Sequence, residues 1–210
     1  MKKIILLSTA AVLLSPIAAK ANQKSSILVG AIPLNLERQL TGSFKDVGGE
    51  EVLKKFEGEN YLSFGLEAYY TYKVWNGLQI APGLRALYAP EHTFEASKNM
   101  PKLLNSFVVE PRFLLGYEVQ LGSNVTLTPF AGFGFEWTID KEKKADGKDE
   151  WKFDKWKVTA VAGARFAYSN FYAALAGRFD VTASDLPKGT LAEAPTYRNG
   201  GVEVSIGAEF

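Results

Sequence analysis

Long stretches of the chain alternate between apolar and polar residues with a period of two. In the clearest run, at 61–75, Leu62, Phe64 and Leu66 alternate with Ser63, Gly65 and Glu67. Comparable runs occupy the ranges 78–88, 107–119, 125–139, 156–168, 171–181 and 202–210. Such alternation is typical of β-strands with one apolar face and one polar face. Together with a less regular first strand near 26–36, the pattern predicts eight strands.

The connections between these runs alternate strictly between short and long. Three are turn sequences of two or three residues, namely Trp75-Asn76-Gly77, Gly122-Ser123-Asn124 and Ser169-Asn170. The others are hydrophilic and long, at about 37–59, 89–106, 140–155 and 183–199. Tight turns at one end and longer loops at the other are typical of barrels that span an outer membrane. The predicted fold is therefore all-β, an eight-stranded antiparallel up-and-down transmembrane β-barrel.

The size of the side chains indicates which face of the sheet is inside. An eight-stranded barrel has an interior just wide enough for side chains, so the face rich in bulky rings would overfill it. We therefore expect the rings to face outward and the polar, glycine-containing face to line the lumen. Aromatic residues at the strand ends fit two interfacial belts. The turn-end belt comprises Tyr72, Tyr117, Tyr168, Phe171 and Phe210, and the loop-end belt comprises Tyr88, Phe107, Trp137 and Trp156.

Turn length sets the expected register of the charged inward residues. If Trp75-Asn76-Gly77 is a three-residue turn, Val74 opposes Leu78, and Glu67 then lies directly opposite Arg85. Equivalent counting from Leu121 opposite Val125 places Glu110 opposite Glu136. Two adjacent carboxylates repel each other, so we expect Arg112 to be their counter-ion. Pro111 lies near mid-strand, where its missing N–H predicts a β-bulge.

The inward face carries nearly balanced charge. Its predicted members are the acids Glu67, Glu110, Glu118, Glu136, Asp180, Glu203 and Glu209 and the bases Lys73, Arg85, Arg112, Lys157, Arg165 and Arg178. The central network is predicted to be Glu67, Arg85, Glu110, Arg112, Glu136, Arg178 and Glu203. In a narrow lumen, we interpret these residues as a structural plug of salt bridges. An ion path or gate is the alternative interpretation.

The first 21 residues have the three parts of a cleaved signal peptide. Lys2 and Lys3 precede a short apolar run, and Ala19-Lys20-Ala21 is a small-residue cleavage site. Residues 22–210 would then form one barrel domain. Loss of three lysines leaves 21 of the 24 basic residues against 23 acidic residues, which gives no basic excess for nucleic-acid binding. The chain has no cysteine, so no disulfide can stabilise it.

Candidate catalytic chemistry is sparse. The only histidine is His92, in a predicted loop, and no nucleophile, base and orienting group form a recognisable set around it. The acidic and basic segment 140–155 lacks the ligand spacing of an EF-hand, because Glu142 and Lys144 occupy positions that need Asp or Asn. We therefore expect no enzyme activity, no cofactor and no metal.

The end of the chain carries a family resemblance. Its alternation resembles the assembly signal of bacterial outer-membrane proteins, with apolar Val202, Val204, Ile206, Ala208 and Phe210. The overall plan resembles the small outer-membrane β-barrel family with an OmpA-type transmembrane domain, and Leu127 to Trp137 is similar to its recurring upward strand. The resemblance implies a location in the bacterial outer membrane. It also implies outer-membrane lipids and lipopolysaccharide, the barrel-assembly machinery and periplasmic chaperones as partners.

Several functions remain open from the sequence. The first is a non-catalytic integral outer-membrane protein whose loops at 37–59, 89–106, 140–155 and 183–199 serve envelope integrity, recognition or adhesion of a surface ligand. The second is a narrow channel for ions or small solutes. An outer-membrane enzyme that modifies lipids and a soluble exported ligand-binding barrel are further alternatives.

Overall fold

The computed structural model describes residues 24–45, 51–52, 60–90, 103–143, 149–153, 156–182, 184–185 and 196–210. Eight long strands form the barrel: β1 (Ser25–Lys45), β2 (Asn60–Trp75), β3 (Leu78–Ala89), β4 (Leu103–Tyr117, continued by Val119–Gly122), β5 (Val125–Lys143), β6 (Lys157–Tyr168), β7 (Phe171–Asp180) and β8 (Thr196–Glu209). Short strands Glu51–Val52, Asp149–Phe153 and Ser184–Asp185 add to the loop ends of β1, β5 and β8. No helix within these ranges has the length and hydropathy needed to cross a membrane.

Each barrel strand pairs antiparallel with the next, and the sheet closes on itself. The closing pair is β1 with β8, which runs from Leu28 opposite Glu209 to Ser43 opposite Thr196. Phe210 extends this ladder, because its N–H donates to the Ile27 carbonyl oxygen at 2.9 Å and its own carbonyl accepts from Ile27 N–H at 3.0 Å. Closure leaves no open edge along the barrel. The predicted eight-stranded up-and-down barrel is confirmed.

A one-residue β-bulge interrupts β1 at Pro33. The register with β8 shifts between Ala31 and Leu34, and the register with β2 shifts between Ile32 and Asn35. Pro33 and Leu34 are therefore both exposed on the outer face, although Ile32 and Asn35 on either side of them are buried. An extra residue inverts the alternation that follows it. As a result, Glu37 points into the lumen, which corrects the prediction that residue 37 begins a loop.

The short turns are tighter than predicted, but the strand register above them is as expected. Asn76 and Gly77 form a two-residue turn with φ of 37° and 90°, as in type I′ hairpins, and Trp75 rather than Val74 lies opposite Leu78. A register shift between Lys73 and Trp75 then offsets this change, so Glu67 does lie opposite Arg85.

The second short turn is also tighter than predicted, and a register shift again offsets the difference. Gly122 rather than Leu121 lies opposite Val125, and the register shifts between Gln120 and Gly122. Beyond that shift, Arg112 opposes Gly134 and Val109 opposes Trp137, which is the register that puts Glu110 level with Glu136.

Pro111 does not produce the predicted bulge. It lies opposite Leu84 in an unshifted β3–β4 ladder, and the β4–β5 register is the same on either side of it. At mid-strand the β4–β5 pairing is interrupted at Glu110 and Pro111, because proline has no N–H to donate to a neighbour. The missing hydrogen bond is therefore a local loss, and the register of the two strands does not change.

The strands extend further into the predicted loops than the sequence pattern indicated. β1 continues to Lys45 and β5 continues to Lys143, while β4 begins at Leu103 and β8 begins at Thr196. The four predicted loops at 37–59, 89–106, 140–155 and 183–199 are correspondingly shorter. Polar alternation continues above an apolar band, so apolar periodicity alone underestimates the strand length.

Candidate functional site

The predicted orientation of the two faces is confirmed. Leu66, Phe133 and Phe135 lie on the outer surface with 61%, 45% and 39% of their side chains exposed. Glu67, Arg85, Glu110, Arg112, Glu136, Arg178 and Glu203 are all buried inside the barrel. Because the ionised groups surround the axis and the rings cover the wall, the barrel is the inverse of a water-soluble one.

Two arginines and two glutamates form the centre of the lumen. Arg112 binds Glu203 with both terminal nitrogens, at 2.5 and 2.9 Å, and its Nε donates to Glu110 at 2.8 Å. Arg85 is fully buried and lies between the same two carboxylates, with Nη1 at 2.7 Å from Glu203 and Nε at 2.6 Å from Glu110. Each charge in this group therefore has at least two opposite charges in contact.

A second group of charged side chains lies next to this central group, on its loop side. Arg178 bonds to Glu37 and Glu136, and its Nη2 lies 3.3 Å from Asp180. Lys157 bridges Glu136 at 2.8 Å and Asp180 at 3.1 Å. Asp180 also accepts the backbone N–H of Asn199 at 3.0 Å, which links the group to β8.

The two groups share partners and form one network. Arg178 Nε lies 3.9 Å from Glu110 Oε1, and Arg85 Nη2 lies 3.4 Å from Glu136 Oε2. We call the whole set the ionic plug. Its members are Arg85, Arg112, Lys157 and Arg178 with Glu37, Glu110, Glu136, Asp180 and Glu203. With four bases and five acids, it is close to neutral, as a buried charged network must be to persist.

The predicted role of Arg112 as the counter-ion of both Glu110 and Glu136 is only half right. Arg112 is a counter-ion of Glu110 as expected, but its second partner is Glu203, and Glu136 is neutralised by Lys157 and Arg178 instead. Glu67 lies opposite Arg85 in the ladder, yet its carboxylate accepts a hydrogen bond from the Tyr172 hydroxyl at 2.9 Å. Contacts across a lumen are set by barrel curvature, which ladder counting does not include.

The sequence pattern missed several lumen residues. Glu37 was hidden by the bulge at Pro33, and Tyr172, which alternates with the outward residues Phe171 and Ala173, was missed because only charged residues were assigned to the lumen. Thr159, whose hydroxyl donates to Glu110, and Asn35, whose amide donates to Glu37 at 2.9 Å, are fully buried. Thr159 lies two residues from the predicted inward residue Lys157, so the alternation could have identified it. Asn35 follows the bulge, so the alternation of β1 alone would not assign it to the lumen.

The turn-side half of the lumen has a different character. Its buried apolar cluster includes Leu28, Tyr69, Ala81, Leu114 and Tyr172. A cavity of about 30 Å³ lies among these residues, below the ionic plug. Lys73 and Glu118 form a partly exposed ion pair of 2.8 Å at the turn end.

The outer surface carries rings at both ends of the strands. Tyr72, Tyr117, Tyr168, Phe171 and Phe210 are exposed at the turn end, and Phe107, Trp137 and Trp156 are exposed at the loop end, where Tyr88 is half-buried. One row crosses neighbouring strands, with ring centroids 5.5 Å apart for Phe64 and Tyr88, 5.0 Å for Tyr88 and Phe107, and 5.8 Å for Phe107 and Trp151. The structure thus contains two aromatic belts.

The five residues predicted as an assembly signal lie on β8 or directly after it. Val202, Ile206 and Phe210 are exposed on the outer face, Val204 is half-buried and Ala208 is buried. Glu203, Ser205 and Glu209 alternate with them and are buried in the lumen. The terminal alternation therefore corresponds to the two faces of the closing strand.

The described ranges offer no cluster of three or more acidic, histidine or cysteine side chains suited to a metal ion. The plug carboxylates are already occupied by guanidinium and ammonium groups, which leaves their oxygens engaged. His92 and the predicted signal peptide at 1–21 lie outside the described residues.

No protein-family model and no curated protein matches the sequence. Among solved structures, the chain is similar to the outer membrane protein OprG from Pseudomonas aeruginosa, with 10% identity, a TM-score of 0.52, and coverage of 92% of this chain and 99% of that one. Neisserial surface protein A gives 12% identity, 90% and 98% coverage and a TM-score of 0.45. Ail of Yersinia pestis gives 16% identity, 89% and 97% coverage and a TM-score of 0.43.

The likeness to OprG spans almost the whole of both chains, so it concerns the complete barrel rather than one hairpin. At 10% identity, it is a likeness of fold. The eight strands and the closed sheet agree with it. The chain therefore has the fold of the small bacterial outer-membrane β-barrels.

Proposed function

We propose that this protein is an integral protein of the bacterial outer membrane, without catalytic activity, whose sealed barrel carries functional loops. The loops within 37–59, 89–106, 140–155 and 183–199 would serve envelope integrity, recognition or adhesion. In this proposal the barrel supplies rigidity and the loops supply specificity. Residues 22–210 would form the mature domain after removal of the signal peptide.

The inverted distribution of charge carries this proposal. Water would penalise a wall that exposes Leu66, Phe133 and many other large apolar side chains, whereas a hydrocarbon bilayer favours it. Even the shortest barrel strand, β7, has 10 residues, and a tilted strand needs about 9–11 to cross a bilayer. The resemblance of the fold to the outer membrane protein OprG agrees with this location.

The ionic plug supports a structural rather than a conducting lumen. Arg85, Glu110 and Arg112 are buried and joined directly to one another, with no gap between their charged groups. A continuous water path through this level would require several ion pairs to separate together. Removing one partner of such a buried pair costs about 3–5 kcal/mol, so the closed arrangement is strongly favoured.

The proposed partners follow from the two surfaces. Outer-membrane lipids would contact the apolar wall, and lipopolysaccharide would contact the loop-end aromatic belt. The alternating residues Val202, Val204, Ile206, Ala208 and Phe210 would be recognised by the barrel-assembly machinery and by periplasmic chaperones. A surface ligand would contact the loops.

Cell fractionation combined with planar-bilayer recording tests the proposal. We expect the protein in the outer-membrane fraction, and we expect the purified wild type to show no steady conductance. Recovery from the soluble periplasm would contradict the membrane location. Steady, selective conductance that Arg112→Ala abolishes would favour the narrow channel instead. Mass spectrometry of lipid A with and without the protein tests the remaining alternative, a lipid-modifying enzyme.

A further inference from the structure

One lumen-facing base differs from all the others. Within the described ranges, ion pairs join Lys73, Arg85, Arg112, Lys157 and Arg178 to carboxylates. Arg165 has no such carboxylate among these residues, and its Nη2 donates instead to the side-chain oxygen of Gln79 at 3.1 Å. Arg165 is half-buried and lines the turn-side cavity.

Neutral hydrogen-bond donors surround the same space. Gln79 approaches the Thr128 hydroxyl with its amide nitrogen at 3.5 Å, which leaves the hydroxyl hydrogen of Thr128 available. Tyr69 accepts a hydrogen bond from Arg112 at 3.4 Å, so its own O–H hydrogen is also available towards the cavity. A guanidinium has five N–H donors, and Arg165 uses one of them for Gln79.

The acceptors in the cavity wall are already engaged. Glu203 is held by Arg85 and Arg112, and Glu67 accepts from the Tyr172 hydroxyl at 2.9 Å. Both carboxylates lie on the plug side of the cavity, whereas Arg165 lies near the turns. The turn end of the cavity therefore combines the Arg165 charge, which has no carboxylate partner among the described residues, with neutral donors, while the two carboxylates lie at the opposite end.

The volume of the cavity limits what could supply this acceptor. About 30 Å³ is available, and a single water needs roughly 10–15 Å³ of such volume. The space suits one monatomic ion or two waters, and it is too small for a nucleotide, a sugar or a lipid headgroup. An anion would neutralise the Arg165 charge, which water cannot do, and an unpaired charge that is partly removed from solvent is costly.

We propose that the turn-side cavity binds a small monovalent anion of the chloride class, with the Arg165 guanidinium as its charged ligand and Gln79, Thr128 and Tyr69 around it. The ionic plug closes the cavity on the loop side, so the anion enters from the turn side and does not pass through. The site goes beyond the proposed scaffold function, because a sealed barrel needs no such ligand.

Bromide provides a direct test, because its anomalous scattering distinguishes it from water in crystals of the purified protein. The expected result for the wild type is an anomalous peak in the cavity beside Arg165. Arg165→Gln should abolish the peak, since loss of a charged hydrogen-bond donor weakens binding by roughly tenfold or more. Lys73→Gln is the matched control, because it removes a lumen-facing charge at the same end of the barrel, and it should retain the peak.

A solution measurement gives a second readout. At equal ionic strength, replacing gluconate with chloride should raise the unfolding midpoint of the wild type by mass action and leave Arg165→Gln unshifted. Water alone in the wild-type cavity, bromide bound elsewhere, or a peak retained in Arg165→Gln would each overturn the proposal. The wild-type crystal decides the question even if the variant does not fold. Neither readout depends on the location of the protein in cells.

Discussion

The Glu37 carboxylate accepts a hydrogen bond from the Arg178 guanidinium across the interior of the barrel, from β1 to β7. This contact exists because the bulge at Pro33 turns the second half of β1 over. If Pro33 and Leu34 alternated instead of sharing the outer face, the pattern set by Leu28 and Ile32 would direct Glu37 outward. A backbone irregularity on one strand thus completes a charge network centred on another.

Deletion of Pro33 should leave the barrel able to fold with Glu37 still in the lumen. Ile32 lies opposite Gly65 and Asn35 lies opposite Ser63, so loss of one of the two residues between them removes the bulge and keeps Asn35 and Glu37 on the inward face. The expected result is a folded yield in lipid vesicles close to that of the wild type, measured by the heat-sensitive shift in electrophoretic mobility and by circular dichroism. Deletion of both Pro33 and Leu34 is the contrasting variant, because it would turn Asn35 and Glu37 to the outer wall and take a partner from Arg178, and it should prevent stable folding. Equal folding of the two deletion variants would show that the inward position of Glu37 does not matter for the barrel.

Sequence patterns identified the faces of the barrel because burial alternates with a period of two over most of every strand. They also gave the correct level for Glu67, Arg85, Glu110 and Glu136, although both turn assignments were wrong. In each hairpin the turn is one residue shorter than predicted, and a register shift nearby adds that residue back. Above the shift, the strands therefore pair as a three-residue turn without a shift would predict.

The missing parts of the site have two physical causes. A bulge changes the face of every following residue, and a proline in a strand does not reveal one by itself, because Pro33 lies in a bulge whereas Pro111 lies in an unshifted ladder. The partner of Arg112 across the lumen depends on how the sheet curves, which brings Glu203 of β8 within reach of β4. Neither property is encoded in the spacing of residues along one strand.

The Arg112–Glu203 pair should show strong energetic coupling. Either Arg112→Met or Glu203→Leu alone should destabilise the barrel by about 3 kcal/mol, at the lower end for a broken buried pair, because Arg85 still contacts Glu110 and Glu203. The double variant should cost less than the sum of the two, by about 0.5–3 kcal/mol. Urea titrations of protein folded in vesicles would measure the coupling.

The Lys73–Glu118 pair is the comparison for this cycle. Its side chains are 38% and 17% exposed, and such pairs contribute about 0.2–1 kcal/mol. Equal coupling in the two pairs would mean that burial in the lumen adds nothing to the Arg112–Glu203 interaction.

Gly83→Ala should destabilise the barrel, because the Tyr69 ring lies directly over Gly83 on the neighbouring strand. An added Cβ would overlap this ring and lie 2.5 Å from the Ala68 carbonyl oxygen. We expect a cost of about 1–3 kcal/mol in the free energy of unfolding, as for overpacked cores. Gly177→Ala is the matched control, since its Cβ would meet only the Ala162 carbonyl oxygen at 3.9 Å. A similar cost at both positions would point to a general effect of strand glycines rather than to contact with Tyr69.

Leu66→Arg tests the medium that surrounds the barrel. Leu66 lies in the middle of β2 with 61% of its side chain exposed, so in water an arginine there would change stability by about 0.5 kcal/mol or less. In a bilayer, an arginine at mid-depth costs about 2–4 kcal/mol, and the cost falls to about 0–1 kcal/mol near an interface. Leu121→Arg supplies the interfacial comparison, because Leu121 is 58% exposed beside the Ser123-Asn124 turn. Unfolding free energies measured in vesicles should therefore separate the two variants by at least about 1 kcal/mol. If both substitutions are neutral, the rings and aliphatic side chains of the wall do not face lipid, and the membrane location that we propose is wrong.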